Sequence, residues 1–245
     1  MKSFLKFILA LCALNINQAI ADSKPTYVIG VENITYDPYY TVKENGEYGA
    51  FARDIFDLFA KKSNIQFKYE PMPVARLFKE YLGGGLDFKY PDSSLWMSEG
   101  RKNKNIIYSD NVVEYIDGAI IKAENKNKDI SFIKKLGTIR GFEVGEYKKR
   151  QIQIEESSNI PELIDKLDNN KIDAVFFNVA VALNYVNRNK YFKNKFIFKK
   201  EYPYLHDYYR LSTMKHKDVI DKFNLFLKKN IKEINEMKKK NKIIF

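Results

Sequence analysis

Residues 65–88, IQFKYEPMPVARLFKEYLGGGLDF, hold a strand, a helix and a second strand in one run. Ile65 to Tyr69 alternates apolar with polar, the pattern of a strand with one buried face. Pro71 and Pro73 then open a helix carrying Leu77, Phe78 and Leu82, because proline suits a first helical turn, where an N–H has no partner in any case. Gly83-Gly84-Gly85 ends that helix and Leu86-Asp87-Phe88 begins a buried strand. Upstream, Thr26 to Val31 reads as a short buried strand, bounded by Pro25 and by a polar turn containing Asp37-Pro38. Ala50 to Lys62 reads as a helix with Phe51, Ile55, Leu58 and Phe59 at helical spacing. Alternating strands and helices of this kind predict an α/β unit with a largely parallel sheet.

The same phrase returns about 85 residues later. Pro161 opens a helix with Ile160, Leu163, Ile164 and Leu167 on one face, Asn169-Asn170-Lys171 makes a polar turn, and Ile172 to Phe177 reads as a buried strand. Two lobes built on one plan are the expectation. A closing helix is expected over Val219 to Met237, with Ile220, Phe223, Leu227, Ile231 and Ile234 on one face. No flexible linker separates the lobes, so short strand-like crossings near Val112 to Ile116 and Tyr204 to Tyr208 are expected to join them.

The amino end reads as an export signal. Lys2 and Lys6 precede an apolar run from Phe4 to Leu14, and Ala19-Ile20-Ala21 puts small residues where a signal peptidase cuts. The run is short of the roughly 20 residues that a membrane-spanning helix needs. Leu11 before Cys12 is bulky where a lipid-attachment signal wants a small residue. Cleavage after Ala21 is therefore expected, with a periplasmic mature chain starting at Asp22. It would lose the only cysteine, leaving no disulfide and no thiolate site. With 45% hydrophobic and 15% aromatic residues, the chain has the material for an ordinary core.

The formal charge of +11 becomes +9 when Lys2 and Lys6 leave. Its excess is lysine scattered among Asn and Ile rather than a stripe, so no nucleic-acid partner is expected. Only seven of the 42 basic residues are arginines. Against that background an arginine marks a place where a planar fork is useful. His206 and His216 lack metal-ligand spacing, Gly83-Gly84-Gly85 lacks the lysine of a phosphate loop, and no Gly-x-Ser-x-Gly elbow occurs. No catalytic residue, metal or cofactor is indicated.

Several further pieces stand in order along the chain: Tyr36-Asp37-Pro38-Tyr39-Tyr40, Asn45-Gly46-Glu47-Tyr48-Gly49-Ala50-Phe51, Arg101 before Ile107-Tyr108-Ser109-Asp110, Leu136-Gly137-Thr138-Ile139-Arg140-Gly141, and Leu167 to Ala174. Together they resemble the family 3 extracellular solute-binding proteins, receptors of polar amino-acid ABC importers. The resemblance implies a two-lobed periplasmic-binding-protein fold of type II. Each lobe would be a mostly parallel sheet flanked by helices, and two hinge strands would join them. Residues 22–112 and 205–245 would form lobe 1, with 113–204 inserted as lobe 2. It also implies a ligand held in the cleft by lobe closure, an ABC permease at the inner membrane as partner, and a monomer.

Within that resemblance Arg101 falls close to the arginine that grips a ligand carboxylate. Trp96 stands where a threonine normally helps, and Asn178 where an aspartate commonly takes the ligand ammonium. Arg76 in the first turn of its helix and Arg140 at a strand-to-helix turn are candidates for an anionic group. Trp96 suits stacking on a planar or cationic ligand group. Tyr36 and Tyr39 fall where the family places its cleft wall. The expected ligand is small and polar, anionic or zwitterionic, with a planar part. A periplasmic dehydratase on the same scaffold and a sensory module for a membrane partner are the alternatives.

Overall fold

A computed structural model describes residues 24–243, so the export signal and its cleavage site lie outside the described residues. In chain order the strands are β1 (Thr26–Glu32), β2 (Thr41–Val42), β3 (Tyr48–Gly49), β4 (Gln66–Met72), β5 (Phe88–Asp92), β6 (Ile107–Tyr108), β7 (Val113–Lys122), β8 (Lys135–Ile139), β9 (Gln153–Ser157), β10 (Ala174–Asn178), β11 (Phe196–Phe198) and β12 (Leu205–Thr213). The helices are α1 (Ala50–Lys62), α2 (Val74–Leu82), the single turn α3 (Ser98–Arg101), α4 (Ile160–Asp168), α5 (Val179–Arg188), α6 (Lys217–Lys229) and α7 (Ile231–Lys240).

The main sheet runs β4-β1-β5-β12-β7-β10-β8-β9. At one end β1 pairs parallel with β4 and β5, and at the other β8 pairs parallel with β9 and β10. Between these ends lie two antiparallel strands. β12 pairs with β7 through Leu205 to Tyr209 and then with β5 through Arg210 and Ser212. The strand-like crossings read from the sequence, Val112 to Ile116 and Tyr204 to Tyr208, fall on β7 and β12. The α/β character and the largely parallel sheet are as expected.

The two halves share a local device. The Asp87 carboxylate accepts the Val28 N–H at 2.9 Å, and that of Asp173 accepts both Lys134 and Lys135 N–H at 2.8 Å. Each acid ties down the neighbouring parallel strand, so pairing begins at Phe88 and Ala174, two residues later than the apolar pattern suggested. Gly30 on β1 lets α2 come close: an added Cβ there would sit 2.6 Å from Leu77 Cδ1 and 2.3 Å from Leu86 Cδ1. Gly84, with φ +82°, completes the stop read at the end of α2. The closing helix is two helices rather than one. Asn230 leaves helical geometry (φ −114°, ψ 23°), and its side-chain amide donates to the Phe226 carbonyl at 2.8 Å, so α6 ends there and α7 starts anew.

Candidate functional site

The strands of the two parallel ends deliver their carboxyl termini toward each other, and ligands of open α/β sheets bind at that edge. Glu32 is the last residue of β1, and the turn Gly141-Phe142-Glu143 follows β8. A cavity of about 30 Å³ lies between them. One side is made by Glu32, by Val74 and Phe78 of α2, and by Trp96 and Met97 after β5. The other is made by Asp117 of β7 and by Gly141, Phe142 and Glu143. The lining holds three carboxylates, three aromatic rings and no cationic side chain.

Two of those carboxylates are deeply buried, Glu32 at 3% exposure and Asp117 at 7%. Glu32 accepts the Tyr40 hydroxyl. Burial raises its pKa, against the opposing charge of Lys89. Asp117 Oδ1 has no hydrogen-bond partner among the described residues. Burial, and then the neighbouring charge of Glu32, pushes the Asp117 carboxyl up to about 8. The Lys89 ammonium, its pKa lowered by burial, is turned to Asp92 Oδ1 at 3.2 Å and to the Pro91 carbonyl. It lies 4.2 Å from the Phe78 ring centre and 5.3 Å from that of Trp96.

Arg101 stands behind this wall and is already engaged. Its two terminal nitrogens reach Asp92 Oδ1 at 2.6 Å and Oδ2 at 3.2 Å, a two-point grip that suits the planar fork. Nε donates to the Trp96 carbonyl, and Nη1 to the Tyr108 hydroxyl at 2.6 Å. Ser212 Oγ also donates to Asp92.

The other residues singled out in the sequence are spread over different surroundings. Trp96 is half-buried, lines the cavity, and packs on Tyr115 and Tyr209 with ring centres 5.8 and 5.9 Å away. Asn178 ends β10 and caps α5. Its Oδ1 accepts the Val181 N–H at 3.0 Å and its amide donates to the Tyr209 hydroxyl at 3.1 Å. Tyr36 and Tyr39 are buried in an aromatic cluster. Tyr36 stacks on Tyr40 at 5.0 Å, and Tyr39 donates its hydroxyl to the Glu114 carbonyl at 3.2 Å. Arg76 and Arg140 extend outward, their side chains 67% and 72% exposed beside Glu80 and Glu156. In α2 the buried residues are Val74, Leu77, Phe78 and Tyr81, which leaves Arg76 on the outer face.

Glu32, Asp117, Phe78 and Phe142 were not singled out in the sequence. Asp117 carries a signal in hindsight, an acid within the apolar run Val113 to Lys122. It stands directly opposite Asn178 in the β7–β10 register. An acid thus lies on the strand next to the position where the resemblance puts one. The expectation of an anionic ligand needs correction, because the cavity wall is acidic. A larger cavity of about 420 Å³ is lined by other residues, among them Asp37, Ile139, Asn159, Phe177 and Arg188. There Asp37 meets the Arg188 guanidinium and accepts two 3.2 Å bonds from the Asn184 amide.

No protein-family model matches the chain. A probable histidine-binding protein of Neisseria gonorrhoeae is 24% identical over 166 residues, which is 64% of this chain and 60% of that protein. The chain thus spans about three fifths of the length of that relative. Among solved structures, the arginine-, lysine-, histidine-binding protein of Geobacillus stearothermophilus superposes with a TM-score of 0.71 at 21% identity, covering 88% of this chain and 94% of that one. An ancestral arginine-binding protein bound to arginine gives 0.69 at 22% identity over 89% and 98%. An arginine transport-system periplasmic binding protein of Legionella pneumophila gives 0.71 at 16% identity over 89% and 100%. These matches bear out the resemblance to solute-binding proteins and the fold it implied. The proteins matched are binding proteins, not enzymes.

Proposed function

We propose that this chain is a periplasmic solute-binding protein whose ligand is a small cation of the basic amino-acid type. The observation that carries the reading is the acidic cavity wall, with Glu32 and Asp117 buried in it and Asp117 Oδ1 unpartnered. A carboxylate out of water needs a cation or hydrogen-bond donors, and a ligand cation would supply both. Phe78, Trp96 and Phe142 would face the same cation with their rings. Proteins named for binding arginine, lysine and histidine share the fold, which supports the same charge class here.

Residues 22–112 with 205–245, and 113–204, are the two lobes of this reading, with β7 and β12 as hinge strands. The ligand enters when the lobes part and is held when they close. Trp96 is a ligand-contacting ring, and Tyr36, Tyr39 and Asn178 support the cleft wall from behind. Arg101 would act on the ligand through Trp96, whereas Arg76 and Arg140 would sit at the cleft's outer rim. Export with cleavage after Ala21, delivery to an ABC permease and a monomeric state complete the reading.

The test is calorimetric titration of residues 22–245 with a charge-graded panel: arginine, lysine and histidine with their decarboxylated amines, then glutamine, then glutamate. Binding confined to the cationic members, lost in Asp117→Asn, is expected. Binding of glutamate alone, or an Asp117→Asn variant that binds as tightly as the parent, sinks the reading.

A further inference from the structure

Three buried acids meet two buried cations around the cavity, and the way they pair has a chemical meaning. Buried against or behind the wall are the carboxylates of Glu32, Asp92 and Asp117 and the cations of Lys89 and Arg101. Asp92 takes both cations: Arg101 by its two-point grip and Lys89 at 3.2 Å. Asp92 therefore stands on the guanidinium as an incoming carboxylate would. Two amides of the facing turn are also committed, Gly141 N–H toward Glu156 at 3.4 Å and Phe142 N–H to the Ile139 carbonyl at 3.0 Å. The first turn of α2 abuts that turn, so that an added Cβ on Gly141 would already be 3.6 Å from the Ala75 nitrogen. What the lining side chains have on offer is acceptors, ring faces and apolar groups.

Resting on the cation reading above, we infer that the ligand is an organic cation without a carboxylate, an amine or guanidine, because Asp92 already occupies Arg101, the buried guanidinium behind the cavity wall. A free amino acid would bring its own carboxylate against Glu32 and Asp117 with no cationic side chain in the lining to receive it. The residue that sets this specificity is Asp92, which touches no ligand and acts by occupying Arg101.

The experiment compares, in the wild-type mature chain, each basic amino acid with its amine: arginine with agmatine, lysine with cadaverine, histidine with histamine. Arginine methyl ester, which keeps the α-amino group and masks the carboxylate charge, is added. The amines and the ester are expected to bind at least tenfold tighter than the parent acids. Asp92→Asn frees Arg101 and is expected to move the arginine-to-agmatine affinity ratio at least tenfold toward arginine. Should that variant fail to fold, the ester against free arginine decides the matter in the wild type. Amino acids binding as tightly as their amines, with Asp117→Asn still abolishing both, overturns this inference and leaves the cation reading standing. No cation binding at all overturns both.

Discussion

Replacing Asp117 by Asn removes a carboxyl that burial, and then the charge of Glu32, pushes up from 3.8 to about 8. The groups around it are Glu32, the Asn178 amide and the phenols of Tyr36, Tyr39, Tyr115 and Tyr209, with no cation among them. The folded chain therefore holds a proton here that the unfolded chain has released at any pH between those values. The stability that this proton lends is complete in acid and is lost as pH rises from 3.8 to about 8. At about 1.4 kcal/mol per pH unit, unfolding of the wild type relative to Asp117→Asn should become easier by roughly 4 kcal/mol from pH 5 to pH 8. Urea denaturation of both proteins at four pH values in that window measures the difference directly. Ligand binding gives a second handle on the same group. A cation needs the carboxylate form, so binding at pH 7 should release about nine tenths of a proton, and affinity should weaken about tenfold per pH unit below 8. Titrations in buffers of different ionisation enthalpy count that proton. A flat stability difference together with proton-neutral binding would refute the placement of an unpaired carboxyl in the cavity wall.

Glu32→Gln removes the charge that helps hold the Asp117 proton, so the midpoint of proton release should move to lower pH; a midpoint that stays put would separate the two carboxylates. Arg101→Met breaks a buried pair with Asp92 and should cost about 3–5 kcal/mol in urea unfolding; a loss below about 1 kcal/mol would place the pair in solvent. Trp96 is the sole tryptophan, so its emission should shift when a cation fills the cavity; calorimetric binding with unchanged fluorescence would remove Trp96 from the ligand's surroundings. Asn178→Ala deletes the cap of α5, whose Oδ1 accepts the Val181 N–H, and should lower stability by about 1 kcal/mol; an unchanged midpoint would show that solvent caps the helix as well.

Much of the fold was legible because its causes are local. The α2 segment announces itself through Pro73 before its first turn, Leu77 and Phe78 on one face and Gly84 at its end, and no distant contact is needed to read them. Asp87 and Asp173 recur at strand starts and do the same backbone work in both halves. Boundaries were less legible where a single side chain decided them, as the Asn230 amide does between α6 and α7. The site was less legible still. Arg101 is conspicuous in a lysine-rich chain, yet its partner Asp92 is nine residues away and is placed by β5. Asp117 reaches the cavity only because β7 runs between β10 and β12.

The sequence by itself determined the α/β architecture, its two-part repetition, an export signal as an expectation, and the absence of metal and nucleophile motifs. Periodicity and turn chemistry act over a few residues, so they survive being read along a line. The sign of the cavity wall was decided only in three dimensions. Net charge reports the lysine-covered surface, whereas a buried site feels the few groups that strands from distant parts of the chain carry out of water together. Here those groups are Glu32 and Asp117 facing the cavity, with Arg101 paired to Asp92 behind it, so a chain of net positive charge carries an acidic cavity.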